Sequence, residues 1–269
     1  MVKIFSFIKN EGAILNDWLL YHSYLVSPQN LYIIDHSSTD KTPRILERWR
    51  QKGVNVFKSN DPFKMKSSIL SSLMKKSSSK DFIIPLDADE FLVLKEGKSL
   101  CADKEKINNY FEKMSVGPYR YKLHQVDVIP TKNAQTDPLI DLIEFKTKWY
   151  KDWKLYAKTF YHSNYFLSTD QGNHKGQVKG GGKLKVTDLT LMHYDVRDYQ
   201  HFITKMIKGA TAYGHHSSPK IKGGAGKHYH RRYWAIKEGK GYAQMVKEFG
   251  KNGNFKTNVL SKKLKELRS

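Results

Sequence analysis

Residues 2–92 alternate between short apolar runs and amphipathic stretches, and few architectures satisfy that alternation. "VKIFSFI" (2–8) reads as a strand, and "AILNDWLLYHSYLV" (13–26) sets Ile14, Leu15, Trp18, Leu19, His22 and Leu25 on one helical face. "LYIID" (31–35) is a second strand. The helix "PRILERWRQK" follows, with Thr42 expected as its N-cap, Pro43 at the first helical position and Gly53 as its terminator. "VNVF" (54–57) and "DFIIPL" (81–86) are further strands, with the helix "SSILSSLMKK" (67–76) between them. Continuous apolar strands separated by helices predict an α/β fold whose mostly parallel sheet is covered on both faces.

Ligands of such sheets bind beyond the carboxyl ends of the strands. The polar punctuation of this chain falls there: Lys9, Asn10 and Glu11 after the first strand, Asp35 to Ser38 after the second, and Asp87-Ala88-Asp89 after the fourth. In an extended segment Asp87 and Asp89 point to one face. Such an oxygen pair suits a hard divalent cation that keeps positions open for phosphate oxygens, Mg²⁺ or the imidazole-tolerant Mn²⁺. The competing reading makes Asp87 a cap, with Asp89 and Glu90 as acids of the following turn. A cap needs no company from two other strand ends, so the convergence favours a ligand site. A phosphatase with an aspartyl nucleophile fits poorly, because position 91 is Phe and the pair follows the fourth strand.

From about residue 115 the pattern turns to mixed β and loop, as in "YRYKLHQVDVI" and "KLKVTDLTLMHY". The helix "RDYQHFITKMIKGATAY" has Tyr199, Phe202, Ile203, Met206 and Ile207 on its apolar side. Residues 214–232, rich in Gly, His and base, read as a mobile loop, and a last helix (233–249) and a basic tail follow. The 269 residues are 39% hydrophobic, as expected of a folded globular chain. No apolar run approaches the ~20 residues of a membrane span. The N-terminal patch is too short and too soon charged for a signal peptide. The single cysteine, Cys101, reads as a packing residue in a reducing compartment. These features predict a cytoplasmic protein.

The net charge of +21 admits a solvated lysine surface, peripheral contact with an anionic membrane, or nucleic acid. A basic nucleic-acid-binding protein would use "KHYHRRYW" (227–234), where rings and cations interleave, but it leaves the acidic rim unexplained. A metal-dependent nuclease or phosphatase is the other alternative.

Five segments, "KNEGAILNDWLLYHSYL", "LYIIDHSSTDKT", "IIPLDADEFL", "KTFYHSN…DQGNH" and "LMHYDVRDYQHFITKMIKG", occur in the order seen in family-2-like glycosyltransferases, most closely the branch that includes glycosyltransferase family 92. The resemblance covers roughly residues 2 to 212; the basic Gly/His loop and final helices lie outside it. It implies a GT-A fold in 1–213 (a nucleotide-binding half, 1–95, and an acceptor half, 96–213), extended by 214–269. It also implies an inverting, metal-dependent transferase that moves a sugar from a nucleotide-sugar, UDP-linked by preference, to a glycan or glycolipid hydroxyl.

On that resemblance Lys9, Asn10 and Glu11 lie beside the nucleoside, Asp35 holds the base or ribose, and Ser38 and Asp40 shape the turn. Asp87 lies near ribose and metal, Asp89 ligates Mn²⁺ or Mg²⁺, and His193 is the later metal ligand. Lys158 and Lys205 balance the diphosphate. Asp170 and His174 serve the acceptor, with Glu144 and Asp195 as reserve bases.

Overall fold

The computed structural model describes residues 1–76, 80–129, 146–149, 158–196, 199–220, 226–249 and 255–269. The chain forms two compact units: Met1–Val126, Trp149–His193 and Val259–Ser269 make the first, Asp127–Lys148 and Tyr194–Asn258 the second.

The first unit opens with β1 (Val2–Ile8), α1 (Leu15–Val26), β2 (Leu31–Asp35), α2 (Thr42–Gln51), β3 (Asn55–Lys58), α3 (Lys66–Lys76) and β4 (Phe82–Pro85). It continues through β5 (Glu90–Glu96), β6 (Ser99–Cys101), α4 (Lys104–Glu112), β7 (Tyr119–Ile129, its last residues in the second unit), β8 (Lys146–Trp149, mostly in the second unit), β9 (Thr159–His162), β10 (Phe166–Ser168), β11 (Gln177–Val178) and β12 (Lys183–His193). Sheet order is β3-β2-β1-β4-β9-β7-β12-β5-β6. β1, β2, β3 and β4 are parallel, as the alternation predicts, whereas β9 pairs antiparallel with β4 and β7, and β5 antiparallel with β12 and β6. Because Ile8 pairs with Asp35 and Asp35 with Lys58, the carboxyl ends of β1, β2 and β3 finish level.

Ile4, Phe5, Ile33, Ile34, Ile83 and Ile84 are buried, the consequence of strands covered on both faces. α1 buries the predicted face and also Asp17 and Tyr21. Its polar tips are satisfied by β5: Trp18 Nε1 donates to the Glu90 carbonyl at 2.8 Å and the Tyr21 hydroxyl to the Leu92 carbonyl at 2.6 Å. His22, fully buried, takes the Leu92 N–H on Nε2 and gives Nδ1–H to the Trp18 carbonyl. α1 therefore fixes the strand that begins at Glu90.

In the second unit, α5 (Tyr199–Ala212), α6 (Lys227–Lys237) and α7 (Gly241–Phe249) enclose Val196, Phe202, Met206 and Met245, and β13 (Phe255–Lys256) pairs with β8. A Cβ on Gly209 would overlap the Tyr229 ring, so the glycine lets α5 and α6 close on each other. Glu248 takes both Arg231 and Arg232.

Three expectations change here. The loop expected over 214–232 gives way to α6 at Lys227, after Gly226 in the left-handed region. The helix expected over 233–249 is two, parted around Gly239 at φ +72°. Ile207, expected on the apolar side of α5, is exposed. The basic tail forms α8 (Val259–Arg268), which rejoins the first unit. There it buries Leu260 and Leu264, and Arg268 pairs with the buried Asp17 at 2.5 Å. No described helix is long and apolar enough to cross a membrane.

Candidate functional site

The loops that leave β1 and β2 are fastened to each other. Asn10, at φ 56°, donates its N–H to Ser38 Oγ at 2.8 Å and accepts the Thr39 N–H on Oδ1 at 2.7 Å. The Glu11 N–H reaches Thr42 Oγ1 at 2.9 Å, and the Gly12 N–H reaches Asp40 Oδ2 at 3.0 Å. Thr42 therefore does not cap α2 with its side chain: its hydroxyl serves Glu11, and Asp40 Oδ1 accepts the Thr42 N–H instead. A Cβ on Gly12 would run into Lys41 and Asp40, which makes the glycine a condition of this contact.

Asp35 is buried at the end of β2, its Oδ1 accepting the Ser38 N–H at 3.2 Å and its carbonyl the Ser59 N–H. His36 Nε2 donates to the Asp61 carbonyl at 2.7 Å. Phe63, about half exposed, lies with its ring centroid 6.1 Å from that of His36. Lys9 is exposed.

After β4 the chain turns at Ala88 and Asp89 before β5 begins, so the extended geometry expected of Asp87-Ala88-Asp89 is absent. The two aspartates have different partners. Asp87 receives Lys66 Nζ at 3.0 Å on Oδ1 and Lys158 Nζ on Oδ2. Lys158, only 5% exposed, also pairs with Glu90 Oε1 at 2.7 Å. Glu90, 1% exposed, uses its other oxygen to accept the Asp87 N–H at 2.9 Å, which closes the turn. Burial alone would raise the Asp87 pKa, but Lys158 and then Lys66 outweigh it and hold the carboxyl well below the usual range. Burial likewise opposes the Lys158 charge, and Asp87 with Glu90 reverses that, raising its pKa. For Glu90, burial prevails over Lys158 and the pKa rises.

Asp89 faces the end of β12, with Oδ2 3.7 Å from His193 Nε2. The Gln125 side-chain amide meets His193 Nδ1 at 3.0 Å. The contacting atom is the amide nitrogen, a donor, so Nδ1 accepts and the neutral ring carries its proton on Nε2, on the Asp89 side. Asp89 and His193 belong to a group of side chains that could hold a metal ion.

The loop between β10 and β11 carries Asp170, whose Oδ1 accepts the N–H groups of His174 at 2.6 Å and Lys175 at 3.0 Å. Lys205 and Asp195 belong to the second unit and pair there at 2.7 Å. Glu144 lies outside the described residues. Lys66, Gln125 and the bracing role of Glu90 escaped sequence reasoning. Lys66 stands 21 residues before the carboxylate it serves, and no local pattern announces it.

No family profile matches the chain, and no curated protein does. Among solved structures it is similar to TarS from S. aureus, at 11% identity and a TM-score of 0.42 over 90% of this chain. The chain spans 44% of the length of that TarS chain. It is similar to TarS 1-349 in complex with UDP at 11% identity and a TM-score of 0.40, covering 91% of this chain and 74% of that one. It is also similar to the mannosyltransferase PcManGT from Pyrobaculum calidifontis in complex with GDP-Man and Mn²⁺, at 11% identity and a TM-score of 0.42, covering 93% and 78%. Likeness at this level bears on neither activity nor ligand.

Proposed function

We propose that the chain is an inverting, metal-dependent glycosyltransferase of the GT-A kind, family-2-like and nearest the family 92 branch. It would transfer a sugar from a nucleotide-sugar, UDP-linked by preference, to a hydroxyl of a glycan or glycolipid. The observation that carries the reading is the meeting, in one unit, of a locked pair of loops around Asp35 and an acidic turn whose second aspartate faces an imidazole. In this reading residues 1–213 form the transferase domain and 214–269 extend it.

Asp35, with Ser38 and Asn10 holding its loop, accepts hydrogen bonds from base or ribose, and Lys9 and Glu11 flank the nucleoside. Asp89 and His193 hold the cation. When bound, that cation supplies positive charge where the leaving diphosphate becomes more negative. Asp170 acts as the base toward the acceptor hydroxyl: the N–H groups of His174 and Lys175 hold its carboxylate in one orientation, as a positioned base requires. A single displacement from the face opposite the leaving group inverts the sugar centre. The +21 charge supports an anionic acceptor or a peripheral contact with an anionic membrane surface. Lys205 is proposed to balance the diphosphate.

A thermal-shift screen of nucleotide-sugars with and without Mn²⁺ tests the reading, because a ligand that binds only the folded state raises the melting point. A UDP-sugar should raise it, and more so with the cation. A screen in which no nucleotide-sugar shifts the melting point under either condition would overturn the reading.

A further inference from the structure

At the end of the sheet opposite the fastened loops, the first unit holds a cavity of about 460 Å³. Its floor lies where β1 and β4 begin and β9 ends: Val2 pairs with Phe82, and Phe82 with His162. The seven residues of β1 stand between this floor and the rim that carries Asn10 and Asp35, roughly 20 Å at the rise of a strand.

The walls are apolar. Leu25, near the end of α1, and Phe111, on α4, are buried and line the cavity together with Phe82. α4 also turns a polar stripe toward it, because Lys104, Asn108 and Glu112 recur every four residues. Lys80, at φ 59° just before β4, adds a second ammonium group. Among the described residues neither Lys80 nor Lys104 has an acidic partner. The Met1 ammonium is taken by Asp81 at 3.5 Å, and burial lowers the His162 pKa, which keeps that ring neutral. Two lysines against Glu112 leave one positive charge at an apolar chamber.

We infer that this cavity is a second binding site, for a small amphipathic anion. An apolar chain or ring system inserts between Leu25, Phe82 and Phe111, and one carboxylate or phosphate head is held by Lys80 and Lys104. Pockets of this size, apolar with a few placed polar groups, take small molecules. The head accepts charge-assisted hydrogen bonds from both lysines, and the Asn108 amide offers a further donor. Such a ligand leaves the loops after β1 and β2 untouched, so it does not compete with a nucleotide-sugar there. The site stands whichever reading of those loops holds.

Isothermal titration calorimetry of the full chain with octanoate and octyl phosphate, set against octanol and octylamine, tests this. At least one of the two anions should bind at a single site, about tenfold or more tighter than octanol, with octylamine weaker still. The tighter anion names the head group. Lys104→Met should weaken that anion about fivefold. Asn108→Trp fills the cavity from α4 and should abolish binding while circular dichroism stays unchanged. Lys227→Met, which removes an exposed ammonium group of the second unit, should bind as the unmodified chain does.

No binding of either anion would overturn the inference, as would octanol binding as tightly as both. Affinity unchanged in Lys104→Met, or lost equally in Lys227→Met, would reduce the effect to general surface charge and overturn it too. If Asn108→Trp fails to fold, the comparison of Lys104→Met with Lys227→Met decides alone.

Discussion

Lys158→Met removes the ammonium that Glu90 and Asp87 share, and leaves Asp87 its second lysine, Lys66. The Lys158 ammonium lies 2.7 Å from Glu90 Oε1, a gross attraction of about 6 kcal/mol at an effective dielectric of about 20. Methionine keeps most of the volume and removes the cost of burying the ammonium, which offsets part of that. Glu90, at 1% exposure, is then left without its cation, and breaking a buried pair from one side costs about 3–5 kcal/mol. With an m-value of about 3 kcal/mol per molar, the urea midpoint should fall by roughly 1–1.7 M.

The variant should also change its pH response. Burial already raises the Glu90 pKa above 4.5 against the opposing pull of Lys158, and loss of the lysine raises it further. Between the unfolded and folded values the folded chain then binds more protons, so the stability gap between the variant and the unmodified chain narrows as pH falls from 7 toward 5. Circular dichroism in urea at both pH values measures this. Adding Glu90→Gln to the variant should restore at least half of the loss, because no buried charge remains unpaired. A Lys158→Met midpoint within about 0.3 M of the unmodified chain, or a double variant whose loss equals the sum of the single ones, refutes the reasoning.

Two further outcomes follow from packing and burial. His22 is fully buried and its pKa is pushed down from 6.5 to about 3, chiefly by burial, so stability that is complete above pH 6.5 should fall by about 2 kcal/mol at pH 5. Urea melts at pH 7 and 5 measure the drop, and a His22→Gln variant that shows the same drop would contradict its assignment to this imidazole. Gly176→Ala would drive a methyl group into the Tyr161 hydroxyl and to 2.5 Å from the Ser168 carbonyl oxygen, at a cost of about 1–3 kcal/mol. That should lower the thermal midpoint by roughly 3–8 °C in calorimetry, and an unchanged midpoint would show that the loop yields freely.

The parallel half of the sheet was legible because its information is local. Runs such as "LYIID" and "VKIFSFI" carry their burial in their own composition, and Pro43 and Gly53 bracket α2 without reference to anything distant. What escaped was set by partners far along the chain. Thr42 looks like a helix cap from its neighbours, yet its hydroxyl is taken by Glu11, 31 residues earlier. Asp87 and Asp89 look equivalent in sequence, and only the arrival of Lys66, Lys158 and His193 makes them different. "KHYHRRYW" resembles a loop because its anchors are an aromatic ring seated on Gly209 and the buried His230, neither of which a hydrophobic period detects.

The last helix sets an order of events at the ribosome. Asp17 emerges early, but its partner Arg268 is made only after the whole second unit, and so are Leu260 and Leu264. At roughly 5–20 residues per second, the nascent chain presents an uncovered flank of α1 for many seconds. A stop codon placed before residue 259 would leave that flank open permanently, a lesion that chaperones and proteases would meet long before any change in chemistry could be measured.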